Sequence, residues 1–188
     1  LNIFTNEFPT GSGKNTFKDC IFIEDKKISK PFKICLENNE FKSMVKEIIE
    51  YALDQYNKHY KNTYKDTSFV LYQKYTYEDA CRLLNWQQNE VPLNIGGYKY
   101  DQTTKTFPVF INYDKANDIQ DTIKYEDHFI NESQLIAISK SGRTTSSDDV
   151  QNFLYAKERG IEVHLFVRKN KDDKTRKEFY YLGHMQAE

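Results

Sequence analysis

The pattern of hydrophobic and polar positions changes its period near residue 39. From Asn39 to about Tyr60, apolar residues recur at the spacing of one helical face, and Asn38 or Asn39 can cap the helix start. We therefore predict an amphipathic helix here, with a solvated polar side. Its apolar face would consist of Phe41, Met44, Val45, Ile48, Ile49, Leu53 and Tyr56.

Short apolar runs precede this helix. Cys20–Ile23 and Phe32–Leu36 have the length and composition of two short strands, and the segment Glu24–Lys30 between them is polar. The pattern therefore predicts two strands joined by a turn.

Two further helices are predicted in the second half of the chain. One begins near Thr76, whose hydroxyl can form a capping box with Asp79 three residues later. The other begins at Ser146 or Ser147 and ends at Gly160. The residues predicted to form the buried sides of these helices are Cys81, Leu83, Leu84 and Trp86 for the earlier one, and Val150, Phe153 and Leu154 for the later one.

Strand-like runs account for most of the remaining sequence after residue 85. They are residues 97–101, 106–113, 134–140, Ile161–Arg168 and Glu178–Gly183. Several strands with one inserted helix favour an α+β fold, with a curved, mainly antiparallel β-sheet or partial barrel flanked by helices. We predict an N-terminal segment, 1–65, that contains the amphipathic helix, and a second domain, 66–188.

Composition and charge narrow the classes of function. The chain has 188 residues and a formal net charge of −1, so attraction to a polyanion requires a local basic patch. Cys20, Cys35 and Cys81 form no Cys-x-x-Cys pair, which predicts reduced thiols and a cytoplasmic protein. No apolar run is long enough for a bilayer, so no membrane partner is expected. Because the chain begins at Leu1 without Met, we expect an excised domain of a larger parent.

Motifs for nucleotide binding and nucleophilic catalysis are incomplete. Pro9–Lys14 lacks the first glycine of a phosphate-binding loop, because that position is Phe8, and Asn15 replaces the hydroxyl residue after the lysine. Cys81 lies on an apolar helical face, where a packing role outweighs a nucleophilic one.

Metal-dependent chemistry is not predicted either. The histidines at 59, 128, 164 and 184 have no ligand spacing with one another or with cysteine. Asp148-Asp149 and Glu162-Val-His164 come nearest to a nuclease set, but the two aspartates are explained by their place at a helix start. We therefore predict no catalytic residue, no metal and no cofactor.

The turn Ser139-Lys-Ser-Gly-Arg143 offers two hydroxyls and two cations close to a predicted helix N-terminus. This combination suits phosphate oxygens. A solvated turn with a helix cap explains it equally well. Arg168 and Lys169 on a later strand could extend the cationic surface.

An ordered series of segments resembles a known family. The series is Tyr75–Trp86, Gly96–Asp101, Phe107–Tyr113, Tyr125–Phe129, Ser139–Arg143, Val163–Lys169 and Phe179–Gly183. In this order they resemble the C-terminal target-recognition domain of SauUSI-type modification-dependent (type IV) restriction enzymes, a domain associated with bacterial superfamily-2 helicases. The resemblance covers roughly residues 69–185, and 1–65 would be a coupling segment. Phe107–Arg143 is also similar to the SRA class of methylcytosine readers, which implies an SRA/PUA-like sheet.

The resemblance implies a non-catalytic module that recognises 5-methylcytosine or 5-hydroxymethylcytosine in double-stranded DNA. The motor and nuclease domains of the parent would be its partners. An unstacked base exposes its ring faces and its Watson–Crick edge, so aromatic side chains and a carboxylate suit its recognition. The residues proposed for the base pocket are Tyr98, Tyr100, Tyr113, Tyr125, Asp127 and Phe129, with Glu126 behind Asp127. Those proposed for phosphate binding are Ser139, Lys140, Ser141, Arg143, Arg168 and Lys169.

Two alternative functions remain open at this point. The amphipathic helix Phe41–Tyr60 could dock onto a neighbouring motor domain, which would make the chain a coupling domain that binds no base. A stand-alone nuclease is the third hypothesis, and a plasmid cleavage assay with Mg²⁺ would test it.

Overall fold

The computed structural model describes residues 22–86, 97–113, 128–169 and 177–187. The chain divides into two compact units, Leu1–Val70 with Cys81–Glu90, and Leu71–Ala80 with Val91–Glu188. Within the described ranges, no helix has both the length and the apolar composition needed to cross a bilayer. The Pro9–Lys14 motif lies outside the described residues.

The first unit begins with a small hairpin and a short helix. Strands β1 (Ile23–Glu24) and β2 (Lys27–Ile28) pair antiparallel, and helix α1 follows as Lys30–Cys35. The predicted strand at Phe32–Leu36 is therefore wrong. The buried Ser29 caps α1, because its Oγ accepts a hydrogen bond from the Phe32 N–H at 3.2 Å, and the helix has a proline in its first turn.

The first unit contains the long helix that the apolar periodicity predicted. Helix α2 spans Asn39–Gln55 and continues as a π-helical turn, Tyr56–Tyr60. Asn38 Oδ1 accepts from the Phe41 N–H at 3.0 Å, which is the predicted cap. The apolar stripe of α2 is largely exposed to solvent, with only Phe41 and Val45 partly buried. Its exposed members are Met44, Ile48, Ile49, Leu53 and the adjoining Tyr56.

The second unit is built on a four-stranded mixed sheet. Its strands are β3 (Lys74–Tyr75), β4 (Thr106–Asn112), β7 (Glu162–Arg168) and β8 (Phe179–His184), in the order β3-β8-β7-β4. The β4–β7 pair is parallel and the other two pairs are antiparallel. Strands β5 (His128–Phe129) and β6 (Leu135–Ile136) form a separate antiparallel hairpin. The sheet is strongly curled and flanked by helices, which confirms the predicted α+β class with a curved sheet.

Both faces of the parallel β4–β7 pair are covered, and this explains why these strands are almost continuously apolar. On what we call the first face, alternate residues form one core cluster: Phe107, Val109, Ile111, Val163, Leu165 and Val167. On the second face, aromatic rings pack together; Phe110 stacks on Phe166 with centroids 4.7 Å apart, and Tyr181 lies 5.1 Å from Phe166. Many of the aromatic side chains of this unit therefore pack inside its core.

Helices close the two faces. Helix α3 spans Tyr77–Leu83, and Tyr77 rests on the second face with its ring 4.2 Å from that of Phe110. Helices α4 (Asp148–Leu154) and α5 (Ala156–Arg159) lie over the first face, where Ala156 is buried in the core cluster. Gly160, at a φ of 64°, ends α5 in the left-handed conformation that glycine tolerates best. Leu154, predicted to be buried, is 42% exposed.

Candidate functional site

A concavity of about 360 Å³ opens on the first face of the sheet. Its volume falls in the range of small-ligand sites, roughly 300–1,000 Å³. Three elements enclose it: strand β4 with the segment beside it, the chain at Ala137–Lys140, and helix α4. Its lining includes the side chains of Tyr98, Phe107, Ser139, Lys140, Asp149 and Phe153. The concavity is therefore apolar and aromatic at its base, with polar groups from the turn and the helix.

The aromatic part of the concavity is held against strand β4. Residues 97–101 run antiparallel to β4 through two isolated bridges, Tyr98 with Val109 and Asp101 with Thr106, rather than as the regular strand that was predicted. Gly97 has a φ of 97° and its carbonyl accepts from the Phe110 N–H. This path stacks the Tyr98 ring on Phe107 at 5.6 Å, and Phe153 of α4 lies 5.9 Å from Phe107.

Lys140 joins the turn to the aromatic part. Its backbone N–H donates to the Tyr98 hydroxyl at 3.2 Å, and its ammonium nitrogen lies 4.5 Å from the centre of the Tyr98 ring. Burial lowers the pKa of Lys140, and the neighbouring Arg143 and Lys99 charges lower it further against the opposing effect of Asp149. Burial also raises the pKa of the Tyr98 hydroxyl. A cation–aromatic pair thus forms one side of the concavity.

Arg143 and Asp149 form an ion pair beside this cation–aromatic contact. Arg143 Nε donates to Asp149 Oδ2 at 2.7 Å. Burial alone would raise the pKa of the Asp149 carboxyl. The hydrogen bond and charge of Arg143, the Val150 N–H and the charge of Lys140 outweigh burial, and the pKa is lowered. The Asp149 carboxylate is therefore ionised where it lines the concavity.

Asp149 was not among the predicted site residues, because its position in the first turn of a helix already explained an acidic side chain. A signal was nevertheless present in the sequence. Arg143 precedes Asp149 by six residues, and it follows directly after Gly142, whose φ of 76° lies in the left-handed region used in tight turns. Such a turn can bring a cation back to the helix N-terminus.

The other predicted pocket residues divide into three groups. Tyr100 also stacks on Phe107, at 6.2 Å, but lines a different groove. Tyr113 and Phe129 meet edge to face at 5.8 Å as a partly exposed pair just beyond β4, and they do not line the concavity. Tyr125 and Asp127 lie outside the described residues.

The predicted phosphate-binding residues are also divided. Ser139 and Lys140 line the concavity, and Ser141 is exposed in the adjoining turn. Arg168 lies on the second face, because its Nε donates to Asn112 Oδ1 at 3.0 Å and its guanidinium carbon lies 4.3 Å from the centre of the Phe179 ring. Lys169 follows it and is exposed. The structure therefore brings together the Ser139–Arg143 group and leaves Arg168 across the sheet.

A second, polar groove of about 750 Å³ adjoins the other side of α4. It is lined by Tyr100, Gln102, Ser146, Asp148, Gln151, Asn152 and Arg159. The Arg159 guanidinium donates to Asn152 at 2.6 Å, so part of its charge is already engaged within the helix pair.

The fold and the concavity define an α+β domain with a ligand-sized site on a curled sheet. Comparison with family models places residues 69–188 in the family described as Domain of unknown function (DUF3427), and the chain belongs to this family. Residues 1–62 match a second model, Domain of unknown function (DUF8090). A search of curated proteins gives no match.

Proposed function

We propose that the chain is a non-catalytic DNA-recognition module that binds 5-methylcytosine or 5-hydroxymethylcytosine taken out of the duplex. The observation that supports this most is the concavity of about 360 Å³, with aromatic rings at its base and Lys140 and Asp149 beside them. The order of sequence segments, which resembles type IV restriction targeting domains, supports the choice of ligand.

Each part of the concavity has a role in this proposal. Tyr98, Phe107 and Phe153 supply the apolar surface for a base ring, and base–aromatic stacking contributes roughly 1–3 kcal/mol per base. The Asp149 carboxylate has acceptor capacity beyond its bond to Arg143, so it can accept from the exocyclic amino group of cytosine. Lys140, Ser139 and Arg143 approach the phosphates that flank the extruded nucleotide.

In this proposal, DNA translocation and DNA cleavage are carried out by other parts of a larger protein. An ATP-driven motor and a nuclease of the parent would act once the module has bound, in the cytoplasm. The module itself would contribute affinity and base discrimination and no bond cleavage.

The test is binding of the 188-residue chain to three duplexes that differ only in one cytosine, which is unmodified, methylated or hydroxymethylated. We expect tighter binding to a modified duplex. Tyr98→Ala should weaken that binding by roughly 5- to 150-fold, the factor that corresponds to 1–3 kcal/mol of lost stacking.

Two variants make this test specific. Tyr98→Phe keeps the ring and removes the hydroxyl that accepts from Lys140, so it should retain most of the discrimination. Tyr180→Ala removes an exposed ring of β8 that lies outside the concavity and should bind like the unaltered chain. Equal weak affinity for all three duplexes would exclude the proposed function.

A second candidate function is favoured by helix α2, whose exposed apolar stripe is unusual for a helix that only contacts solvent. In this case the chain is a coupling domain of a helicase-like protein and binds no base. If Tyr98→Ala keeps its folded stability and its DNA affinity, the base-binding proposal fails and the coupling function gains support.

A further inference from the structure

Three metal-ligating side chains from two neighbouring strands come together on the second face of the sheet. His164 of β7 and His184 of β8 occupy directly paired positions, and their ring centroids lie 4.7 Å apart. Glu162 lies two residues before His164 on the same side of β7, with its Oε2 3.6 Å from His164 Nε2. One ligand atom from each of the three residues fits within an envelope of 4.8 Å.

The orientation of His164 suits a ligand. Its Nδ1 lies 3.2 Å from the Tyr181 hydroxyl, so its Nε2 is turned toward Glu162. Ligating histidines commonly have their second ring nitrogen fixed by such a hydrogen bond, which sets the tautomer and the ring direction.

The ligand types restrict the ion. Two imidazoles and one carboxylate suit zinc and its first-row neighbours, whereas Mg²⁺ and Ca²⁺ prefer sets of oxygen ligands. Bonds of about 2.0–2.2 Å put two ligands of one zinc ion up to about 4 Å apart. The three ligand atoms lie within 4.8 Å of one another, close to this separation. The Glu162 side chain is 62% exposed, so it can rotate toward an ion without displacing core residues.

We propose that Glu162, His164 and His184 bind one Zn²⁺ ion, which joins the start of β7 to the end of β8. Three protein ligands leave a fourth position for water. This site lies on the second face of the sheet, across from the concavity, so it is independent of base recognition. Its effect would be to stabilise the edge of the domain where the last strand ends.

The test uses an untagged 188-residue chain, treated with a chelator and then titrated with Zn²⁺ by calorimetry. We expect one ion per chain and an increase in Tm of roughly 5–10 °C at free zinc about 100 times Kd. Co²⁺ used as a spectroscopic probe should give visible absorption bands that Zn²⁺ displaces.

Two ligand variants and two controls make the result specific. Glu162→Gln and His184→Ala should each weaken Zn²⁺ binding at least about tenfold, because loss of an orienting hydrogen bond alone costs about that much and loss of a ligand costs no less. His59→Ala and Glu158→Gln replace exposed residues of the same types elsewhere and should bind as the unaltered chain does. Glu162→Gln is the decisive variant, because this exposed position can be changed without disturbing the core.

Two results would overturn the proposal. One is the absence of stoichiometric Zn²⁺ binding by the unaltered chain. The other is unchanged affinity and unchanged thermal shift in folded Glu162→Gln, which would put the ion elsewhere. Neither result bears on the preference for modified cytosine, which the duplex titrations measure separately.

Discussion

Lys140 contacts the aromatic ring proposed to bind the base and is itself proposed to bind a phosphate. Its backbone N–H and its ammonium group both engage Tyr98, and its side chain also lines the cavity. A partly desolvated cation beside an aromatic ring can attract a phosphate while the ring contacts a base. The proposal for this residue is phosphate binding.

Lys140→Ala should therefore weaken binding to modified and unmodified duplexes by a similar factor. Removing one phosphate contact should also reduce the slope of log Kd against log salt concentration by about 1. Fluorescence anisotropy at several salt concentrations measures both effects. Lys42→Ala, on helix α2, is the matched control. A selective loss of affinity for the modified duplex, with the salt slope unchanged, would instead assign Lys140 to base recognition.

Individual site residues were predictable where a local motif was sufficient. Ser139 and Lys140 were selected because a turn with hydroxyls and cations precedes a helix start, and both line the concavity. The position of Arg168 was not predictable, because its guanidinium is directed by Asn112 of the parallel strand, 56 residues earlier. Contacts between distant strands depend on register, which one sequence does not reveal.

At the scale of elements, helix α3 begins with the predicted capping box. Thr76 Oγ1 accepts from the Asp79 N–H at 3.1 Å, and Asp79 Oδ2 accepts from the Thr76 N–H at 2.9 Å. The shorter aspartate can therefore replace the usual glutamate. This pair of hydrogen bonds satisfies two N–H groups at the helix start.

Thr76→Ala should lower the free energy of unfolding by about 1 kcal/mol, within the usual range of roughly 0.5–2 kcal/mol for a lost N-cap. Urea denaturation followed by circular dichroism measures the change. Thr76→Ser keeps the hydroxyl and should be nearly neutral, and Thr103→Ala tests an exposed threonine outside the helix. Equal losses for Ala and Ser at position 76 would show that the hydroxyl is not responsible.

Elements were predicted well where two independent signals agreed, as with the caps and the periodicity of α2 and α3. Helix α1 was mistaken for a strand because Phe32-Lys-Ile-Cys-Leu36 is a short run of mainly apolar residues, which periodicity alone does not assign to helix or strand. The stronger signal was Ser29 followed by Pro31, a cap with proline in the first turn. Segments 97–101 and 134–140 have strand-like composition, but they pair through isolated bridges or two residues only.

At the scale of the whole molecule, the curved α+β architecture was predictable from the order of elements, but the sheet order was not. The parallel pairing of β4 with β7 appears in the sequence only as two continuous apolar runs, which a buried antiparallel strand could also show. For the same reason the histidines at 164 and 184 had no apparent relation along the chain, although they are cross-strand neighbours.

Helix α2 gives a prediction at this scale. In the coupling hypothesis, its exposed apolar stripe docks onto the motor domain of a larger parent protein. Ile48 is 65% exposed, so Ile48→Glu should shift Tm by no more than about 1–2 °C. If the stripe docks onto a motor domain, the same change should reduce the stimulation of ATP hydrolysis by modified DNA in the parent protein.

Glu47→Gln, a polar substitution on the same helix, serves as the control for Ile48→Glu. Unchanged stimulation in the Ile48→Glu protein would remove the support for coupling through α2. The unaltered 188-residue chain and its Ile48→Glu and Glu47→Gln variants should bind duplexes equally well, since the concavity belongs to the second unit.

The parallel pairing of β4 with β7 has one more consequence. Parallel neighbours cannot be joined by a tight turn, so the chain between them must cross over the sheet. The Ser139–Arg143 turn and helix α4 belong to that crossover, whereas Phe107 belongs to the hydrogen-bonded ladder itself. Exchanging the crossover between related proteins should therefore leave the hydrogen-bonded ladder in place. In a chimaera, ligand preference should therefore follow the transplanted crossover, and folding should follow the recipient's strands.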